Sequence, residues 1–135
     1  MKKYKILEHK ADLKIRAFGE NKKELFLNML SAMAKSQKPE IKITKKVKRK
    51  IKINSPDLSA LLVDFLNEAL YLSQVNKEVY SSVIFKKITD RKVEGELTGQ
   101  KLERFGEDIK AVTYHNLDIH QLSNGGWEAN VLFDI

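Results

Sequence analysis

An α+β fold, a mostly antiparallel (mixed) β-sheet with two main helices packed on it, is what this sequence predicts. Three observations lead there. Apolar residues recur at helical spacing over Leu25–Met33, and the most hydrophobic stretch, from Leu58 on, follows a helix-start signal and has the length of a core helix. Most of the remainder alternates apolar and polar residues, as half-buried strands do. The alternating runs are joined by short turns, at Asp90-Arg91 and at "SNGG" before Trp127, and short turns couple neighbouring strands antiparallel.

Taken in order, Tyr4 to Leu7 and Leu13 to Phe18 read as short strands flanking "EHKAD", and Gly19 ends the second. Asn21 with Glu24 three residues on matches a capping box, so a helix is expected over 22–36, with Leu25, Phe26, Met29, Leu30 and Met33 on its apolar face. In "KPEIKITKKVKRKIKIN", Ile41, Ile43, Val47, Ile51 and Ile53 fall on odd numbers with mostly Lys or Arg between them. One or two strands with one buried and one strongly basic face would produce that pattern. Ser55 is the expected N-cap of the second helix, with Pro56 at its first position. The run "LSALLVDFLNEALYLSQ" is a core helix, since Asp64, Asn67 and Glu68 rule out a membrane span. Val79 to Thr89 and Lys92 to Leu102 form a hairpin, "EDIKAVTYH" reads as a short helix or turn, and Leu117 to Leu122 with Trp127 to Asp134 form a last hairpin.

The 135 residues suit a single domain, 1–135, with one core. The absence of Cys excludes disulfides, thiolate metal sites and thiol catalysis. Lys2, Lys3, Lys5 and Glu8 interrupt the N-terminus, so neither a signal peptide nor a membrane segment is expected there, and a cytoplasmic location follows as an expectation. The formal net charge of +7 is uneven: residues 1–56 hold 17 Lys/Arg against 5 Asp/Glu, and the rest of the chain is net acidic. Such polarity steers association with polyanions or acidic partners, although a lysine-rich solvated face has the same composition.

Candidate chemistry is sparse. His9, His115 and His120 lack the i, i+4 spacing of zinc proteases, and neither a glycine-rich phosphate loop nor a nucleophile elbow is present. The acids are more telling. Asp12 opens one strand, and Asp134 stands at the end of another, next to Ile135 and its own carboxylate. Strand ends can meet on one sheet edge, where carboxylates without partners repel one another. A hard divalent cation would remove the repulsion, and so would pairing of Asp134 with a Lys or Arg; spacing leaves both open.

Four segments, "YKILEHKADLKIRAFG", "LSALLVDFLNEALY", "EDIKAVTYHNLDI" and the closing "VLFDI", follow in order over nearly the whole chain and resemble the signature segments of the archease family. The resemblance implies a small α+β protein, not itself an enzyme. It would act as protein cofactor of the GTP-dependent RtcB-type RNA-splicing ligase, promoting guanylylation of the ligase's active-site histidine and its multiple turnover in tRNA splicing and RNA repair. It implies a metal site at Asp12, Asp134 and Ile135, holding a divalent cation: Ca²⁺ first, with Mg²⁺ or Mn²⁺ as the other options for an all-oxygen donor set. It also implies a functional lysine at Lys110, with His9 and His115 as further candidates for ligase activation. Two departures are visible: Lys10 stands where Thr is usual, adding positive charge near the expected metal site, and Phe65 stands where Trp is frequent. A second expectation, also suggested for archeases, is a chaperone or modulator of RNA-modifying enzymes such as tRNA methyltransferases. A third is direct RNA binding through the Lys42–Lys52 face. No aromatic residue interleaves those lysines, so RNA contact is expected to be indirect or weak.

Overall fold

The computed structural model describes residues 2–8 and 12–135, with the side chains of all these but Glu8, Ile43 and Thr44. Seven strands and two helices are described: β1 (Tyr4–Glu8), β2 (Asp12–Gly19), α1 (Lys22–Ser36), β3 (Pro39–Asn54), α2 (Leu58–Asn76), β4 (Glu78–Ile88), β5 (Lys92–Phe105), β6 (Ala111–Gln121) and β7 (Trp127–Asp134). The α+β class expected from the sequence holds, but the strands divide into two sheets, ordered β1-β2-β7-β6 and β3-β5-β4. Every pairing is antiparallel.

Each helix packs against strands of both sheets. Along α1 only Lys23 and Lys35 are exposed, so this helix is covered on most sides. Its polar side chains tie it in: Asn28 donates to the Phe18 carbonyl of β2 at 2.7 Å, and Ser31 donates to the Ser81 carbonyl of β4 at 2.7 Å. The start of α1 is as the sequence predicts, with Asn21 Oδ1 accepting from the Glu24 N–H at 2.9 Å. Phe26 of α1, Phe65 of α2 and Phe85 of β4 meet at ring-centroid distances of 5.5, 6.5 and 5.9 Å, in tilted and edge-on geometries that suit the ring quadrupole. Phe65 is fully buried, so it fills core space as an apolar ring.

Three expectations are corrected. The N-cap of α2 is Asp57, whose Oδ1 accepts from the Ala60 N–H at 2.8 Å; Ser55 is buried and instead donates to Asp64 at 2.6 Å. The segment expected as a short helix or turn opens β6, because Ala111, Val112 and Thr113 pair with Asp134, Phe133 and Leu132 of β7. Tertiary pairing overrides the local pattern there. Finally, 39–54 is one strand, and its apolar face is not uniformly buried. Ile51 and Ile53 lie in the core, whereas Ile41 is 40% exposed. A register irregularity between Ile41 and Lys46 breaks the alternation, so parity no longer assigns the face.

The hairpin β4–β5 brings Gly99 so close to its neighbour that an added Cβ would sit 1.8 Å from the Val79 carbonyl oxygen, which is why no side chain is tolerated there. At the same end, Glu78 is only 1% exposed. Arg49 grips it through two hydrogen bonds of 2.9 Å, and the Tyr80 hydroxyl donates to it at 2.6 Å. The guanidinium holds the Glu78 carboxyl below the usual carboxylate range. Burial, then the Glu78 bond, pushes the Tyr80 phenol up to about 12.

β6 is an edge strand, yet part of its edge is closed. Asn67 of α2 donates to the Val112 carbonyl at 3.1 Å and accepts from the Val112 N–H at 3.0 Å, so one amide side chain stands in for a neighbouring strand. Gln74 donates to the Ile109 carbonyl at 2.9 Å one step further out.

Two outcomes are expected. Asn67→Ala leaves both Val112 backbone groups without their partner and should lower stability by about 2–4 kcal/mol. Urea denaturation measures this, and a loss within experimental error would show that solvent replaces Asn67. For Tyr80 the folded pKa lies above the unfolded one, so its contribution is complete below the ordinary phenol value of 10.0 and is lost as pH rises toward about 12. Tyr80→Phe should therefore flatten the alkaline limb of a melting-temperature profile; an unchanged limb would assign it to other groups. Glu78 has the opposite sign, with its contribution present above the ordinary carboxylate range and lost in acid.

Candidate metal site at the β2–β7 edge

Leu13, Ile15 and Ala17 of β2 and Ala129, Val131 and Phe133 of β7 are buried. That alternation sends the even-numbered residues of both strands to the opposite face. The register then sets Asp12 directly opposite Asp134. Directly opposed residues hold their Cβ atoms about 4.5–5.5 Å apart, within the span of two ligands to one cation. On its other side β7 pairs with β6, where Ala111 faces Asp134 and the Lys110 N–H donates to the Asp134 carbonyl at 2.7 Å. The ends of β2, β7 and β6 therefore meet around one residue.

The three acidic positions differ in environment. Asp12 is half-buried, and its Oδ1 is fully buried with no hydrogen-bond partner among the described residues. A buried carboxylate oxygen left unpaired is costly, and such an atom usually belongs to an unfilled interaction. Asp134 is exposed, and no Lys or Arg is paired with it among the described residues. Ile135 is half-buried against the core, which holds the chain in place one residue beyond the strand. The donor set is oxygen throughout, and together with an Asp12 oxygen that no described residue pairs it fits a hard divalent cation.

Lys110 has its backbone pinned to Asp134 and its side chain exposed. His115 is placed apart. It lies in the stretch where the β6–β7 register jumps between Thr113 and Asp118, it is exposed, and its N–H bonds Thr113 Oγ1 at 3.3 Å. His9 and Lys10 lie outside the described residues.

Sequence reasoning missed two arrangements. Tyr114, 57% exposed, donates its hydroxyl to Asp64 Oδ1 at 2.8 Å, and this bond raises its pKa. Ser55 holds the other Asp64 oxygen. No local pattern signals a pair 50 residues apart. The second is a cluster of Asp118, His120 and Glu128, whose ligand atoms lie within 4.8 Å of one another. Asp118 and His120 share a strand face by their i, i+2 spacing, but Glu128 joins them only through the β6–β7 register.

No described helix is long and apolar enough to cross a membrane. Residues 4–135 match the archease protein family. The chain is 39% identical to the protein archease of Methanosarcina mazei, over 99% of this chain and 97% of that one. It is 33% identical to that of Pyrococcus furiosus over the full length of both. Its fold matches the solution structure of protein 1598 of Methanobacterium thermoautotrophicum, with a TM-score of 0.70, 25% identity and full coverage of both chains. It also matches the crystal structure of an archease, described as a possible chaperone, from Thermotoga maritima, with a TM-score of 0.68, 19% identity and 97% and 96% of the two chains covered. With a family match spanning all but the first three residues, and signature segments that carry Asp12, Lys110 and Asp134, the chain belongs to the archease family.

Proposed function

We propose that this archease is a non-catalytic protein cofactor of an RtcB-type, GTP-dependent RNA ligase in the cytoplasm. It promotes guanylylation of the ligase's histidine and so its repeated turnover. The observation that carries the reading is the opposition of Asp12 and Asp134, with a buried Asp12 oxygen that has no partner among the described residues, beside the pinned backbone of Lys110. Asp12, Asp134 and the terminal oxygens of Ile135 would hold a divalent cation, Ca²⁺, Mg²⁺ or Mn²⁺ by donor type. Such a cation supplies positive charge against the phosphates of a nucleotide. Lys110 adds a mobile ammonium on a backbone that cannot drift, because its N–H is committed to Asp134. Both charges stand at one sheet edge, where a partner's nucleotide pocket can meet them.

A second reading, a chaperone or modulator of RNA-modifying enzymes such as tRNA methyltransferases, draws on the description of the Thermotoga maritima neighbour as a possible chaperone. The two differ in whether GTP-dependent ligation responds. Direct RNA binding is less well supported. On β3, Lys48 lies 4.0 Å from Glu96 and Lys52 3.5 Å from Glu94, so part of the basic face is compensated within its own sheet.

In a guanylylation and multiple-turnover assay of the cognate ligase, adding the protein should raise both rates. Asp12→Ala should abolish the stimulation, and extra residues after Ile135 should weaken it by moving the terminal carboxylate. Stimulation that survives both changes would remove the metal edge from the mechanism. Lys110→Ala should impair stimulation while leaving stability within about 0.5 kcal/mol, as for other exposed substitutions. Normal stimulation would rule the ammonium out as a contact, and a large drop in melting temperature would make Lys110 structural.

A further inference from the structure

The outer face of the β1-β2-β7-β6 sheet carries a second cluster, at the opposite end of β7 from Asp134. Asp118 and His120 of β6 stand opposite Asn130 and Glu128 of β7. The His120 ring lies between two carboxylates, with Nδ1 3.0 Å from Asp118 Oδ2 and Nε2 3.1 Å from Glu128 Oε2. The cluster is also anchored laterally. Arg16 of β2 donates to Asn130 Oδ1 at 2.9 Å, and Asn130 donates to Asp118 Oδ2 at 3.4 Å. Asn130 is nearly buried, at 9% exposure, so the carboxylate facing Nδ1 is held from two strands away.

A neutral imidazole has one N–H and one bare lone pair, and an ionised carboxylate only accepts. Whichever nitrogen carries the hydrogen, the other turns a lone pair on a carboxylate about 3 Å away. The arrangement calls for a second positive centre, either a second proton or a metal ion. The two ring lone pairs diverge, so one ion sits on one nitrogen. Asp118 is the better anchored carboxylate and suits the Nδ1–H, as in the carboxylate–histidine–metal arrangement that fixes a ligating tautomer. That leaves Nε2 and Glu128 facing each other. Their 3.1 Å separation is close to the donor–donor edge of about 3.3 Å expected around a tetrahedral ion with bonds near 2.0–2.1 Å.

We propose that His120 Nε2 and the Glu128 carboxylate bind a borderline divalent transition metal of the Zn²⁺, Co²⁺ or Ni²⁺ class, with Asp118 as the positioning residue that holds the imidazole tautomer. The mixed nitrogen and oxygen donors separate this site from the all-oxygen edge at Asp12 and Asp134, because Ca²⁺ and Mg²⁺ take oxygen ligands and imidazole suits the later metals. His120 is 43% exposed and Glu128 19%, so an ion enters from solvent and completes its shell with water or with a group from a docked partner. The proposal does not depend on ligase activation.

The test follows the His120 ring C–H signals by NMR while ZnCl₂ is added to protein already saturated with CaCl₂. His120 should shift and saturate near equimolar Zn²⁺, and the response should persist in Asp12→Asn. Glu128→Gln should abolish equimolar saturation, and Asp118→Ala should weaken binding about 10–100-fold. His120 signals that stay in place at a large Zn²⁺ excess would overturn the site. An equal response in Glu128→Gln would also overturn it, by reducing the event to metal capture on a lone surface histidine.

Discussion

The pairing of β2 with β7 is the constraint on which the rest of this structure depends. It joins residues 12–19 to residues 127–134, so the chain must bring its first and last segments together in the middle of one sheet. The hydrophobic alternation of both strands leaves only one useful register. A slip by one residue would turn either Ile15 and Ala17 or Val131 and Phe133 outward, with the polar neighbours of that strand inward. The same register sets Asp12 against Asp134. Core packing and the acidic edge are thus one decision.

The helices convert two modest sheets into one core. α1 has polar anchors to both sheets, through Asn28 to β2 and Ser31 to β4, and α2 repeats this with Asn67 to β6 and Ser73 to the Glu78 carbonyl. The buried amide of Asn28 and the buried hydroxyl of Ser73 are tolerated because each is paired with a backbone carbonyl. Asn67 also protects an edge that carries the lysine-bearing signature segment, and so links the stability of the sheet to the position of Lys110. On the other sheet, Arg49 and Tyr80 make a buried Glu78 acceptable by giving its carboxylate three donors.

Acidic side chains on the outer face of the first sheet gather at two places along β7. Asp12 and Asp134 stand at one end, and Asp118, His120 and Glu128 at the other, with Arg16 and Asn130 between them. The two clusters differ in donor chemistry, all oxygen in the first and imidazole with carboxylate in the second. Groups held on strands are placed more precisely than groups on loops.

The sequence by itself determined the local elements. The Asn21–Glu24 cap and the apolar spacing after it define α1 correctly, and the Asp90-Arg91 turn defines the β4–β5 hairpin. These rest on interactions between near neighbours in the chain, so their causes are visible in a short window. The archease-like segments single out Asp12, Lys110 and Asp134 as candidates, and of these the register sets Asp12 opposite Asp134. Tertiary structure alone decided the rest. It made residues 111–113 a strand by supplying β7 as a partner, and it left Ile41 outside the core despite its parity. It moved the cap of α2 to Asp57 once Ser55 found Asp64, and it brought Glu128 to His120 and Tyr114 to Asp64. Each of those outcomes depends on strand register or helix placement across long sequence separations, and such contacts exist only after the chain has closed.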